Sequence, residues 1–378
     1  MKLLIVSAVG ELGGGAESML YELVHSIKAD VEVEVLFMQE GKLKEKIDML
    51  GITTHVLFSP QMRNITGVIK WMAKYTKFVR RNHYTYVLNW MPKAHLFTAI
   101  PNSINKKPTL WWQHGVPDPP NFFDKLTIKL PAKKIGSSST IAMRAQKRLT
   151  KKPVFCAFPG SDHLRHRPNE SNRSILRGKL EIDDDTLLIG NVGRLQSWKR
   201  QDILIKTLEK LIQAKIKAKL ILVGGNLYNL DNEYEEKLNK MIREKKLGDY
   251  IITTGNQLDV EPYYDAMDIY LHTADGEPFG IVMVEAMLHE KPVIAIKSPG
   301  SVEIVEDRVT GLLLNSENPN DISKDIINLV KDNNLLKQFG IKGRKRAIEM
   351  FSNDQMGKEI LREIRTDSGL DLYKKEVI

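Results

Sequence analysis

Short apolar runs closed by glycine recur along the chain, and between them the apolar positions switch to helical spacing. Leu3-Leu4-Ile5-Val6 is a continuous apolar run of strand length, the pattern of a parallel strand covered on both faces. The turn Gly13-Gly14-Gly15 separates it from Met19, Leu20, Leu23, Val24 and Ile27, which share one face of a helix. Strand-like runs follow at 31–38, 54–58, 86–89 and 109–113, and 133–139 reads as a strand entering a serine-capped helix. Helix-like segments separate most of them, which is the βαβ rhythm of a parallel sheet. The rhythm resumes at 187–193, 220–225, 251–256, 269–273, 292–296 and 310–314. An α/β chain with two parallel sheets is expected.

Length agrees. At 378 residues the chain suits two domains of roughly 150 to 200 residues. A composition of 42% hydrophobic and 27% charged residues excludes a disordered chain. Cys156 is the single cysteine, which excludes an intrachain disulfide and a cysteine-rich zinc site. The start, Met1 to Val9, has the look of a short signal peptide but runs directly into Gly10 and Gly13, so a buried first strand is expected. No apolar run approaches the roughly 18 residues that span a bilayer, and a cytoplasmic protein is expected.

The net charge of +9 is unevenly placed. Residues 1–160 carry 23 Lys and Arg against 11 Asp and Glu, and within 49–160 only Asp118 and Asp124 oppose 18 basic residues. Such a field attracts an anionic partner: a membrane, a nucleic acid or a phosphorylated acceptor. No zinc or RNA-binding motif is present, so nucleic acid is not expected. On a helical wheel over 61–82, Ile65, Val68, Ile69, Met72, Thr76 and Val79 share a face expected to pack inward. Lys70, Lys74, Lys77 and Arg81 line the opposite side, and Trp71, Tyr75 and Phe78 form an adjoining stripe expected to reach a membrane surface, unless it completes the edge of the core.

Candidate chemistry is densest from Asp275 to Met287. Gly276 and Pro278 place its start in a turn, and Ile281, Val284, Met287 and Leu288 recur at helical spacing. The amides of Phe279, Gly280 and Ile281 are then the open donors of a first helical turn, a setting that suits a phosphate oxygen. Glu277 lies just outside that start and Glu285 about one turn inside. Two carboxylates beside an anion site suit sugar hydroxyls; they also fit a plain loop–helix junction whose glutamates favour the positive end of the helix dipole. Gly193 ends a strand-like run and is followed by Arg194, Trp198, Lys199 and Arg200. Such cations stabilise the charge that develops on a departing diphosphate, or they form a solvated basic loop. His114, at the carboxyl end of a presumed strand and before Gly115, stands where open α/β sheets bind ligands; a satisfied buried histidine is the alternative. His95 reads as a polar residue of a helix start. Asp183-Asp184-Asp185 reads as a surface turn, and no metal is expected.

Glu277-Pro278-Phe279-Gly280 followed by Glu285 resembles the Glu-x7-Glu motif of retaining GT-B glycosyltransferases, the family 4-like group. Gly193-Arg194-Leu195 with Lys199 resembles that family's diphosphate motif, G-R-L-x-x-x-K-G, with Arg200 replacing the last glycine and leaving the backbone geometry there open. Phe158 to Asp162 resembles its interdomain linker at Gly160 and Asp162 and departs at Pro159 and Ser161. The resemblance is specific over about 185–350 and patchier before it. It implies two Rossmann-like domains facing across a cleft: 1–162 for the acceptor, 163–350 for the nucleotide sugar, and 351–378 a helix crossing back plus a tail whose last ten residues are expected to be mobile. The implied activity is transfer of a sugar, with retention and without metal or cofactor, from a nucleotide-diphosphate donor (a UDP-sugar by preference) to a hydroxyl of a glycan or lipid-linked acceptor. Polysaccharide or glycolipid synthesis at the inner face of a membrane is the implied setting. Arg194 and Lys199 would hold the diphosphate, Glu277 with the 279–281 amides the sugar and phosphate, and Glu285 the ribose. His114 would touch the donor sugar near the reacting carbon. Gly14 and Gly15 would lie beside the diphosphate and acceptor, with Gly193 and Gly224 also on the nucleotide and Asn256 near the base. An epimerase or phosphorylase of the same fold, and a non-catalytic anion-binding protein, are the alternatives.

Overall fold

In the computed structural model, which describes residues 1–226 and 231–367, the apolar runs become the strands of two parallel sheets, one in each of two units. The first unit is Met1–Gly160 together with the chain from Ser352 onward, and the second is Ser161–Phe351.

In the first unit strand and helix alternate: β1 (Lys2–Ser7), α1 (Gly15–Ile27), β2 (Glu32–Phe37), α2 (Lys42–Asp48), β3 (Thr53–Val56), α3 (Ile65–Arg81), β4 (Tyr86–Trp90), α4 (Pro92–Ile104), β5 (Thr109–Gln113), α5 (Phe122–Thr127), β6 (Lys134–Ser137), α6 (Thr140–Lys147) and β7 (Val154–Cys156). The sheet order is β3-β2-β1-β4-β5-β6-β7, with every pair parallel. Successive strand side chains face opposite sides. Leu3 and Ile5 therefore pack with α1 and α2, and Leu4 and Val6 with α3 and α4.

The second unit holds α7 (Glu170–Lys179), β8 (Leu187–Val192), α8 (Gln201–Gln213), β9 (Ala218–Val223), α9 (Asn232–Glu244), β10 (Ile251–Thr253), α10 (Glu261–Ala266), β11 (Ile269–His272), α11 (Ile281–Leu288), β12 (Val293–Ile296), α12 (Ser301–Ile304), β13 (Gly311–Leu314), α13 (Pro319–Val330) and α14 (Asn333–Phe351). Its parallel sheet runs β10-β9-β8-β11-β12-β13.

The chain then returns to the first unit as α15 (Asn353–Asp367). Met356, Ile360, Leu361 and Ile364 recur at helical spacing and enter the core that α1 covers. Asn353 donates to Glu22 Oε2 (2.9 Å), and Lys134 pairs with Glu363 and Asp367 (2.9 and 3.2 Å). The last ten residues, expected to be mobile, lie outside the described residues.

In helix α3 the aromatic stripe completes the edge of the core, the second of the two expectations, and Val68, Met72 and Val79 pack inward while Ile65 and Ile69 do not. The helix begins at Ile65, after the cap residue Asn64, and its aromatic stripe faces inward. Trp71, Tyr75 and Val79 are buried and Phe78 is half-buried, while Ile65 and Ile69 are 70% and 61% exposed. The reason is polar as well as apolar. The Trp71 indole donates to the Leu57 carbonyl and the Tyr75 hydroxyl to Asn102 of α4, each at 2.9 Å. Trp71 also stacks on Tyr75 and meets Phe97 edge-on. Large aromatic rings that find polar partners inside outcompete isoleucine for the buried face. Lys70, Lys74, Lys77 and Arg81 stay exposed, as the wheel predicts.

Candidate active site

The second sheet reverses its order between β8 and β11, and the loops leaving those strands flank the crevice where open α/β sheets take ligands. Gly193, Gly224 and Gly255 end three neighbouring strands: the Gly193 amide donates to Val223 (2.9 Å) and that of Gly224 to Gly255 (3.0 Å). Gly224 has φ of 130°, and a Cβ there would stand 2.2 Å from the Gly193 carbonyl oxygen. No side chain fits, so the strand ends make a bare backbone shelf. Exposed Asn256 borders it, its Oδ1 accepting from the Gly225 amide (3.1 Å).

Beyond Gly193 come Arg194 and a tight turn, Ser197–Lys199. Arg200 follows at φ 55°, ψ 39°, the left-handed conformation that glycine favours. The arginine thus adopts the geometry its replacement of glycine left open, and its side chain pairs with Asp202 and Glu317 (3.6 and 3.1 Å). The Thr273 hydroxyl, just after β11, reaches the carbonyls of Lys199 and Arg200 (3.1 and 3.0 Å), and the Asp275 amide donates to Trp198 (2.8 Å). The two loops are therefore fastened together. Lys199 Nζ lies 4.1 Å from the centre of the Trp198 ring and donates to Glu277 Oε2.

Glu277 is buried, and His272 Nε2 stands 3.4 Å from its Oε2 without a hydrogen bond. Burial alone would raise the Glu277 carboxyl; the His272 ring and the Lys199 ammonium more than offset it and hold it at about 2. Burial also keeps His272 below the usual imidazole range. The Gly300 amide donates to the Glu277 carbonyl (2.9 Å), and a Cβ on Gly300 would stand 1.9 Å from the Phe279 oxygen. Gly280 precedes α11, whose first turn has no side-chain cap, so its N-terminal amide end, with Ile281, is open to an anion. The Phe279 ring packs edge-on against Phe351. One turn into α11, Glu285 accepts from the Tyr264 hydroxyl (2.8 Å), and burial pushes its carboxyl up to about 7.

In the first unit, Gly14 and Gly15 open α1, and the Trp90 indole donates to the Ala16 carbonyl (2.9 Å). The edge of Trp90 meets His114 at 4.7 Å, so the glycine turn and the histidine are linked through one ring. Burial holds His114 at about 3, a neutral imidazole whose Nε2 is buried without a partner. His95 is a packing residue: it stacks on Trp111 and meets Asn89 (3.0 Å).

Residues 172–346 match the model of the family described as Glycosyl transferases group 1. Over these residues the chain is similar to group 1 glycosyl transferases. Among similar curated proteins, a poly(ribitol-phosphate) alpha-N-acetylglucosaminyltransferase of Staphylococcus aureus is 27% identical over 45% of this chain and 33% of that protein. The alpha-1,3/1,6-mannosyltransferase ALG2 of Homo sapiens is 29% identical over 45% of this chain and 44% of its own length. The chain thus spans less than half the length of these two relatives. Among solved structures, Anabaena HepE (Alr3699) with UDP and glucose is 24% identical with a TM-score of 0.86, over 97% of this chain and 100% of that one. Sucrose-phosphate synthase of Thermosynechococcus elongatus is 18% identical with a TM-score of 0.80, over 97% and 99%. The two parallel-sheet α/β units have the GT-B fold of these structures.

The second unit gathers Gly193, Arg194, Lys199, Gly224, Asn256, Glu277, Phe279, Gly280, Ile281 and Glu285 at the carboxyl end of its sheet; Gly14, Gly15 and His114 lie in the first unit. Sequence reasoning missed four residues that hold the second unit's site in shape: His272, Thr273, Tyr264 and Gly300. Only Gly300 left a signal, as part of the turn Ser298-Pro299-Gly300-Ser301. Among the described residues no three His, Cys, Asp or Glu side chains are arranged to hold a metal ion. Asp183 and Asp185 pair with Lys217 at the surface (2.8 and 2.6 Å).

Proposed function

We propose that this chain transfers a glycosyl group from a nucleoside diphosphate sugar to an acceptor hydroxyl, with retention at the anomeric carbon and without a metal ion. The observation that carries the reading is the Lys199–Glu277 pair, set beside Arg194 and the uncapped start of α11 at the reversal point of the second sheet. Arg194 and Lys199 take the diphosphate, whose charge grows as the anomeric C–O bond breaks. Cations and backbone amides supply the neutralisation a metal would give. Glu277 leaves Lys199 to the incoming phosphate and accepts from sugar hydroxyls; Glu285 accepts from the ribose. The acceptor oxygen bonds to the anomeric carbon as its proton passes to the departing phosphate oxygen on the same face, so no protein nucleophile is needed. Neutral His114 offers its unpartnered Nε2 to a sugar hydroxyl. UDP as the nucleotide is supported by the UDP held in HepE, and a glycan or glycolipid acceptor by the relatives' names.

Purified Arg194→Ala and Lys199→Ala variants are expected to stay folded and to lose about 10² to 10³ in kcat. The alpha or beta configuration of the product against the donor, read by NMR, tests retention; turnover in excess chelator tests metal independence. Near-normal turnover by both variants would sink the diphosphate assignment.

A further inference from the structure

Two of the three helices on one face of the first sheet, α3 and α5, leave apolar side chains in water toward one end. α3, α4 and α5 follow parallel strands, so their first turns all lie at the carboxyl end of the sheet. They share a face: α3 and α4 pack on Leu4 and Val6, His95 of α4 stacks on Trp111, and Ile128, just after α5, joins the Trp111 cluster. Besides Ile65 and Ile69 on α3, Phe122 and Phe123 on α5 are 73% and 50% exposed, with Leu126 one turn on also exposed. The two phenylalanines meet edge-on at 5.7 Å. They sit on a fixed element, because Asn121 and Asp124 cap α5 reciprocally and Asp124 also accepts from Gln113 at the end of β5. Large apolar side chains left in water on two helices that border one end of a sheet mark an interaction surface.

Charge identifies the occupant. Lys70, Lys74 and Lys77 of α3, and Lys125 and Lys129 on and after α5, are exposed and pair with no carboxylate among the described residues. The two acids of the segment are committed elsewhere, Asp118 to Arg148 and Asp124 to the cap. Aromatic and aliphatic side chains flanked by unpaired lysines match the headgroup region of an anionic bilayer, where rings insert and lysines meet lipid charge. A second copy of so basic a face would be repelled. We propose that this rim docks on an anionic lipid surface, with Phe122, Phe123 and the exposed strip of α3 entering it. The rim borders the end of the sheet that carries Gly14, Gly15 and His114. Docking itself does not depend on the transfer reaction; only its use, to meet a lipid-carried acceptor, rests on that reading.

The full chain, without nucleotide and at low salt, is expected to sediment with phosphatidylcholine vesicles that contain phosphatidylglycerol and not with phosphatidylcholine alone. Phe122→Ser with Phe123→Ser should lower partitioning about tenfold, and Lys70→Gln with Lys125→Gln and Lys129→Gln about 10²-fold. Both variants should keep the parent's melting temperature and UDP binding. Equal sedimentation with the two vesicle types overturns the proposal, and so do folded variants that bind like the parent. A dimer that dissolves in the phenylalanine variant would assign the rim to a second copy instead. Failure of the parent to bind UDP would count against the transfer reading and leave the vesicle result standing.

Discussion

Two carboxylates on one loop-and-helix segment are pushed in opposite directions, Glu277 down to about 2 and Glu285 up to about 7. Their effects on stability have opposite signs. Glu277 stabilises the fold above its unfolded value and loses that contribution as pH falls toward 2. Glu285, with its folded value raised, contributes fully below about pH 4.5, and the contribution is lost as pH rises through about 7. Glu285→Gln should therefore melt progressively higher than the parent between about pH 5 and 8, a gain of order 3 kcal/mol at the top of the range. Ribose hydroxyls donate best to an ionised carboxylate, so parental affinity for UDP should climb more steeply than the variant's over the same interval. A parent and variant whose affinities track each other with pH would remove Glu285 from the ribose. Glu277, Arg194 and Lys199 were legible because a charge beside a glycine turn has no packing reason to be there. Tyr264 and His272 were not, since one lies in a short helix and the other ends an apolar strand, and the role of each comes only from what the fold sets opposite its polar atom.

The elements repeat this at larger scale. Glycine turns after apolar runs located both sheets and the loops of the site, because parallel strands buried on two faces leave little ambiguity. The facing of the α3 aromatics stays open in the sequence because periodicity says which residues share a side, and only the partners (the Leu57 carbonyl and Asn102) say which side is in. β7 is three residues at a sheet edge, too short to register as a run. The loop that carries Glu277 depends on the 298–301 turn, which approaches so closely that Gly300→Ala must displace backbone. That substitution is expected to cost about 2 to 4 kcal/mol, lower the melting of the second unit by about 5 to 10 °C and weaken UDP binding. Gly178→Ala serves as the control: it lies in α7 with nothing within 4 Å of its Cβ position and should melt no lower than the parent. An unchanged melting temperature for Gly300→Ala would mean that the turn is not fixed where the structure places it.

At the scale of the whole chain, the surplus of basic residues before residue 160 and the two-domain length could be read directly, whereas the ownership of the last helix rests on contacts between residues hundreds of positions apart. α15 buries Met356, Ile360, Leu361 and Ile364 in the first unit. Each such side chain is worth roughly 1.5 to 3 kcal/mol, so deleting the chain from Asn353 removes about 6 kcal/mol or more, comparable to the stability of an ordinary domain. The shortened protein is expected to lose the first unit's cooperative melting and to keep that of the second, read by calorimetry; two intact transitions would contradict the assignment. The way the chain leaves and re-enters the first unit has a further consequence. A Cβ on Gly160 would stand 2.2 Å from the Ser352 carbonyl oxygen, so the outgoing and returning strands of chain lie side by side, and the Ser161 amide donates to Phe351 (3.0 Å) across the same gap in the second unit. The second unit is thus a closed loop, its two ends already touching. A gene for 161–351 alone begins and ends where a permutation of that unit would be stitched, and joining 160 to 352 leaves the first unit without a gap to bridge.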